Sequence, residues 1–262
     1  MRIAILFIPL LVACGQQSPT PADETTEKPA AKPAEPAPKP FAVDEKTELI
    51  EFHFGWSAEA AAVPQLVDRF HKEMEKAKAD LVAGAEEDKA FREKQGFDFH
   101  GFMSSTDYKT AGQSARLLSL SLEQGGYEGG AHGNYGVGAL LWDRAEAREI
   151  KPSGLFASAE NMGRLLTQRW CDALNKAREE KRGEPVGGGG LFDDCPSLGD
   201  VALIPADKDR NGRFETLMLV ASPYVAGPWV EGAYEIELAV TPDLLAALKG
   251  DYRTSFEASQ TQ

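Results

Sequence analysis

Gly125-Gly126-Tyr127-Glu128-Gly129-Gly130-Ala131-His132-Gly133-Asn134-Tyr135-Gly136-Val137-Gly138 places seven glycines in fourteen positions between two apolar runs. Glycine has no Cβ and enters positive φ freely, so a cluster this dense marks backbone that turns sharply or lets something approach closely. It is read as splitting the folded part of the chain into two halves. A phosphate loop needs a helix N-terminus directly after its glycines, whereas residues 135–142 read as a strand, so no nucleotide cofactor is expected. His132 has no carboxylate or second histidine at a fixed short offset and is read first as a structural hydrogen-bonding residue, with a ligand or a base as the alternatives.

Upstream of the glycines, residues 48–56 alternate strictly, with Ile50, Phe52, Phe54 and Trp56 on one side and Glu51 and His53 on the other, the pattern of a half-buried strand. Pro64 suits the first turn of a helix whose Leu66, Phe70, Met74, Ala77 and Leu81 recur at three- and four-residue spacing. Residues 97–108 and 115–122 follow as strands joined through Gly112-Gln113-Ser114. Downstream, Met162, Leu166, Trp170, Ala173 and Ala177 make an apolar helical stripe within residues 158–182. Residues 200–205 and 214–221 flank Asn211-Gly212, a hairpin signal, and a strand over 234–240 precedes a short helix capped by Thr241. The expected class is α+β, with two small units of helices packed on antiparallel sheets over residues 41–145 and 146–262.

Residues 1–13 carry Arg2 and an apolar run over 3–12 too short to span a bilayer, and with the next residue their end makes the lipobox Leu11-Val12-Ala13-Cys14. They read as a lipoprotein signal peptide with Cys14 as the acylated residue, and the absence of Asp after Cys14 points to the outer membrane facing the periplasm. The alternatives are an ordinary secretory signal or a core segment. Residues 14–40 are rich in Pro and Ala and lack aromatics, which suits a tether that spans up to roughly 80 Å if extended. Cys171 and Cys195 remain as a pair in a compartment where disulfides persist, and a bridge between them is expected. The net charge of −13 repels nucleic acid and the carboxylates of peptidoglycan, and steers basic partners inward.

Asp207-Lys208-Asp209-Arg210-Asn211-Gly212 matches the first half of a calcium loop, yet its twelfth position is Met218 rather than Glu. A polar hairpin turn is the preferred reading, and no metal is assigned. Neither a Gly-x-Ser-x-Gly elbow nor a Ser-x-x-Lys or His-Glu-x-x-His motif occurs, so no catalytic residues are named.

Two stretches together resemble a known family. Gly129-Gly130-Ala131-His132-Gly133 leads through Trp142-Asp143 to Ile150-Lys151-Pro152-Ser153-Gly154-Leu155-Phe156, and Ser222-Pro223-Tyr224-Val225-Ala226-Gly227-Pro228-Trp229-Val230-Glu231-Gly232 forms the second signature. Both are similar to the paired domains in the extracellular part of RsiV-like anti-sigma factors, which also precede the catalytic domain of certain peptidoglycan deacetylases. The resemblance implies two α+β units and, from the RsiV-like members, lysozyme binding. Neither signalling nor deacetylation is carried over. The expectation is a lipid-anchored envelope binding module for a lysozyme-like basic protein or the cell wall, touching it through Tyr127, Gly129, Gly130, His132, Asn134, Tyr135, Tyr224 and Trp229. The alternatives are a cryptic wall-glycan hydrolase and a purely structural envelope lipoprotein.

Overall fold

The computed structural model describes residues 37–187 and 189–259. The segments read as a signal peptide and, up to residue 36, as a tether, together with Cys14, lie outside the described residues, as does Gly188. The alternating segment forms β2 (Ile50–Trp56), but the sheet starts one strand earlier, with β1 (Phe41–Lys46) antiparallel to it. Ile50, Phe52, Phe54 and Trp56 are all buried, and each such side chain contributes roughly 1.5–3 kcal/mol. A short helix α1 (Ala58–Ala61) leads into α2 (Pro64–Gln95), which covers that face with Leu66, Phe70, Leu81 and Ala85. Because the chain crosses over through α2, β3 (Phe102–Gln113) returns parallel to β2. The strand expected over 97–108 therefore starts later, since α2 runs to Gln95 and is closed by Gly96.

β4 (Leu117–Tyr127), β5 (Asn134–Asp143) and β6 (Arg148–Ile150) complete a six-stranded sheet in sequence order, antiparallel from β3 onward. The glycine stretch is thus the β4–β5 hairpin inside one sheet, not a divider between two halves. The sheet extends to Ile150 because β6 pairs with β5. β4 and β5 are buried on both sides near their paired ends. Leu118, Leu120, Leu140 and Trp142 join the core under α2, while Leu117, Leu141 and Ile150 join a second core.

That second core lies among α3 (Ala159–Arg182), β7 (Ala202–Ala206), β8 (Thr216–Ala221), β9 (Tyr234–Ala239), α4 (Pro242–Ala247) and α5 (Gly250–Arg253), with β7, β8 and β9 in one antiparallel sheet. Ser158 caps α3 by accepting from the Asn161 amide, and Thr241 caps α4 likewise from Leu244. Where the two sheets meet, a bulge in β3 lets the Ala111 carbonyl accept from the Asp207 amide at 3.1 Å. A Cβ on Gly112 would stand 2.6 Å from that nitrogen, so only glycine admits this approach.

Three fasteners hold the segment after α3 against the helix. The Cys171–Cys195 disulfide forms as expected, and the Trp170 indole donates to the Pro196 carbonyl. Arg178, fully buried on the apolar stripe of α3, donates to the carbonyls of Ala226, Asp193 and Asp194 and to Asn175 Oδ1. On the first sheet, buried Asp143 receives Arg116 and the amides of Ala145 and Glu146, which shapes the β5–β6 turn. Burial alone would raise the Asp143 pKa, but the Arg116 bonds and those amides outweigh it, and the net direction is down.

Arg178→Met leaves three carbonyls without their donor and is expected to destabilise the fold by about 3–5 kcal/mol, read as a lower urea midpoint at unchanged slope with the disulfide intact. Asp143 contributes stability that is present above the ordinary aspartate pKa of about 4 and is lost as pH falls through its depressed folded value. Asp143→Asn is therefore less stable than the wild type at neutral pH, and unfolding curves of the two converge in acid.

Candidate functional site

The β4–β5 hairpin ends in a tip, residues 128–133, whose turn uses Gly129 (φ 91°) and Gly130 (φ 99°), backbone that other residues rarely adopt. Tyr127 donates its hydroxyl to the Gly130 carbonyl at 3.1 Å and braces the turn from within. The tip lies over the end of α2, where a Cβ on Gly129 would sit 2.9 Å from Arg92 Nη2. Its other side meets the segment between β8 and β9. The His132 ring stacks on Trp229 with centroids 4.2 Å apart, and the Ala233 amide donates to the Tyr135 hydroxyl at 3.0 Å. The Ser222 hydroxyl accepts from the Val137 amide at 2.9 Å, so the 222–233 segment is tied to β5 at both ends.

Of the residues expected to form the contact surface, Tyr127, Gly129, Gly130, His132, Asn134, Tyr135 and Trp229 thus belong to one assembly. His132 is bonded through Nδ1 to the Gly133 carbonyl, and Asn134 turns its Oδ1 to the Tyr135 amide. Tyr224 stands in a separate turn closed by its own amide on the Gly227 carbonyl; its φ is 70° and the residue is 51% exposed. Tyr135 is 42% exposed and Val230 84%. The Trp229 indole nitrogen is buried and has no hydrogen-bond partner among the described residues.

Beside Tyr135 a cleft of about 370 Å³ opens between β3–β5 and the three-stranded sheet. Three carboxylates, those of Asp107, Glu123 and Glu235, line it, and no lysine or arginine does. Two of the three have partners outside the lining: Lys109 pairs with Glu123, and His53 lies between Asp44 (2.7 Å) and Asp107 (3.1 Å). The Asp44 hydrogen bond, aided by Asp107, raises the His53 pKa above the usual imidazole value. These acids were not singled out in the sequence, where they are only the polar positions of alternating strands.

Below Trp229, Glu231 accepts from Arg182 and from the Tyr234 hydroxyl, and Lys181 donates to the Glu231 and Ala233 carbonyls. Burial works to raise the Glu231 pKa, but Arg182 and Tyr234 overcome it, so the group stays below the ordinary glutamate value. With both oxygens occupied, it fixes the segment.

Residues 43–135, about a third of the chain, match the family model described as Deacetylase PdaC. No curated protein matches the sequence. Among solved structures, a DUF3298 family protein from Pseudomonas aeruginosa is 17% identical with a TM-score of 0.49, covering 86% of this chain and 99% of that one. A member of the same family from Bacteroides fragilis is 14% identical with a TM-score of 0.48, covering 83% of this chain and 95% of the other. The similarity to the PdaC model runs from β1 to the start of β5 and includes the whole tip of the glycine hairpin.

Proposed function

We propose that this domain is a non-catalytic binding module, held at the cell envelope through a lipid on Cys14, that engages a basic partner with the pinned hairpin and the acidic cleft beside it. The observation that carries the reading is Tyr135. Its hydroxyl is fixed by the Ala233 amide while its ring stays exposed at the edge of a cleft lined by Asp107, Glu123 and Glu235. A rigid aromatic ring makes contact area at little entropic cost, and an acidic rim attracts cationic surfaces. The resemblance to RsiV-like extracellular domains favours a lysozyme-like protein, and the net charge of −13 disfavours the wall polymer itself. Deacetylation, the activity in the matched model's name, is not carried over to this chain.

The hydrolase reading needs a carboxyl group whose pKa is pushed up to serve as general acid. The carboxylates that leave their ordinary values move the other way: Asp193 through the Gly190 amide, Asp143 and Glu231 through arginine partners that outweigh burial. Such groups hold structure together, and none of the three is a candidate for that general acid.

Titration of the full chain with a basic lysozyme, at low and raised salt, tests the reading. Micromolar or tighter binding that weakens with salt is expected, with Tyr135→Ala weakening it by about tenfold or more and Tyr135→Phe by less. Parallel loss of lysozyme activity would make the module an inhibitor, and no binding at either salt overturns the lysozyme assignment. Cys14→Ser is expected to abolish incorporation of labelled palmitate and release the protein from the membrane fraction.

A further inference from the structure

The loop joining β7 to β8 has the layout of a chelating loop. With Asp207 as its first position, Asp209, Asn211 and Glu215 stand third, fifth and ninth and Gly212 sixth, the ligand spacing of the first nine positions of a calcium loop. Asp207 is 8% exposed, and its two oxygens accept from the Asn211 and Gly212 amides at 3.0 and 2.9 Å, which curls the chain around the carboxylate. Arg210 (φ 61°) and Gly212 (φ 88°) take left-handed backbone to complete the curl. Asp209 folds in from the rim toward the same Asn211 amide. As a result Asp207, Asp209 and Glu215 each bring one carboxylate oxygen within 4.8 Å of the others.

An independent observation points to a missing partner. Glu215 Oε1 accepts from the Lys208 amide at 3.0 Å, while Oε2 is wholly buried and has no hydrogen-bond partner among the described residues. Nor is any of the three carboxylates in an ion pair with a described lysine or arginine; the nearby Lys208 is engaged by Glu237. A buried carboxylate oxygen without a donor or cation is costly, and three carboxylates crowded together repel one another.

We propose that this loop binds a divalent cation, calcium by its all-oxygen, carboxylate-rich donor set. Asp207, Asp209 and Glu215 supply the charged ligands, and Asn211 Oδ1, which already accepts from the Arg213 amide at 2.9 Å, offers its second lone pair as a neutral one. Glu215 at the ninth position takes over the acidic role that Met218 cannot fill at the twelfth. The loop also carries the contact of Asp207 with Ala111 across the two sheets, and Asn211 donates to Glu257 near the end of the described chain. Bound calcium stiffens the joint between the sheets.

The test is thermal unfolding of the full chain, stripped with EDTA and titrated with calcium chloride or magnesium chloride, with calorimetry to give stoichiometry. At a hundredfold excess over its Kd, calcium is expected to raise the midpoint by about 5 °C or more. One ion binds per chain, and magnesium at equal concentration raises the midpoint less. Asp209→Asn, at an exposed position that does not threaten folding, and Glu215→Gln each weaken calcium binding by about tenfold or more. The assignment is overturned by the absence of any calcium-dependent shift and heat, by an equal shift with magnesium, or by unchanged calcium affinity in Asp209→Asn.

Discussion

The structure depends on two strands that are buried on both faces. β4 and β5 present Leu118, Leu120, Leu140 and Trp142 to the core under α2, and Leu117 and Leu141 to the core around α3 and the three-stranded sheet. An antiparallel sheet commonly leaves one face to water; here the paired ends of two strands serve as a common wall for two cores. Neither core closes without that wall, so each half of the chain stabilises the other through the same few side chains. The wall also sets the hairpin's direction, because the register that buries the leucines fixes where the glycine tip emerges.

From that tip the arrangement of the candidate site follows. The bonds of Tyr135 to Ala233 and of Val137 to Ser222 join β5 to the segment between β8 and β9, and the His132–Trp229 stack closes the outer end. Glycine at the turn permits the close approach, and aromatic rings make the approach cohesive. Glu231, Arg182 and Lys181 hold the far side of this segment on α3, so the exposed rings of Tyr135 and Tyr224 rise from backbone that is fixed at several points.

Much of this was legible in the sequence, for physical reasons that differ by element. The alternation in β2, the stripe of α3, the Thr241 cap and the Cys171–Cys195 pair are local signals, and local signals survive folding. β1 was missed because its exposed Asp44 and Lys46 continue the polar character of the sequence before it. The last turns of α2 were missed because they carry charge rather than an apolar stripe. The parallel pairing of β2 with β3, the place of the glycine stretch inside one sheet, and the acidic cleft are properties of tertiary placement, which no spacing encodes. Arg178 could have been found: it continues the period of Leu166, Trp170 and Leu174, and an arginine in an apolar stripe has to be met by acceptors.

Arg178 also bears on how the redox state of the surroundings reaches this protein. Burial lowers its pKa from the ordinary arginine value, yet a guanidinium starts so far above neutrality that it keeps its charge. Its acceptors include the carbonyls of Asp193 and Asp194, directly before Cys195, and the Trp170 bond to Pro196 lies directly after it. Reduction of the disulfide therefore cuts one of three adjacent fasteners, and the other two respond neither to thiols nor to physiological pH. The segment after α3 is thus held at Asp193, Asp194 and Pro196 as well as through sulfur, and the Cys171–Cys195 bridge adds a covalent strut to contacts that do not themselves depend on it.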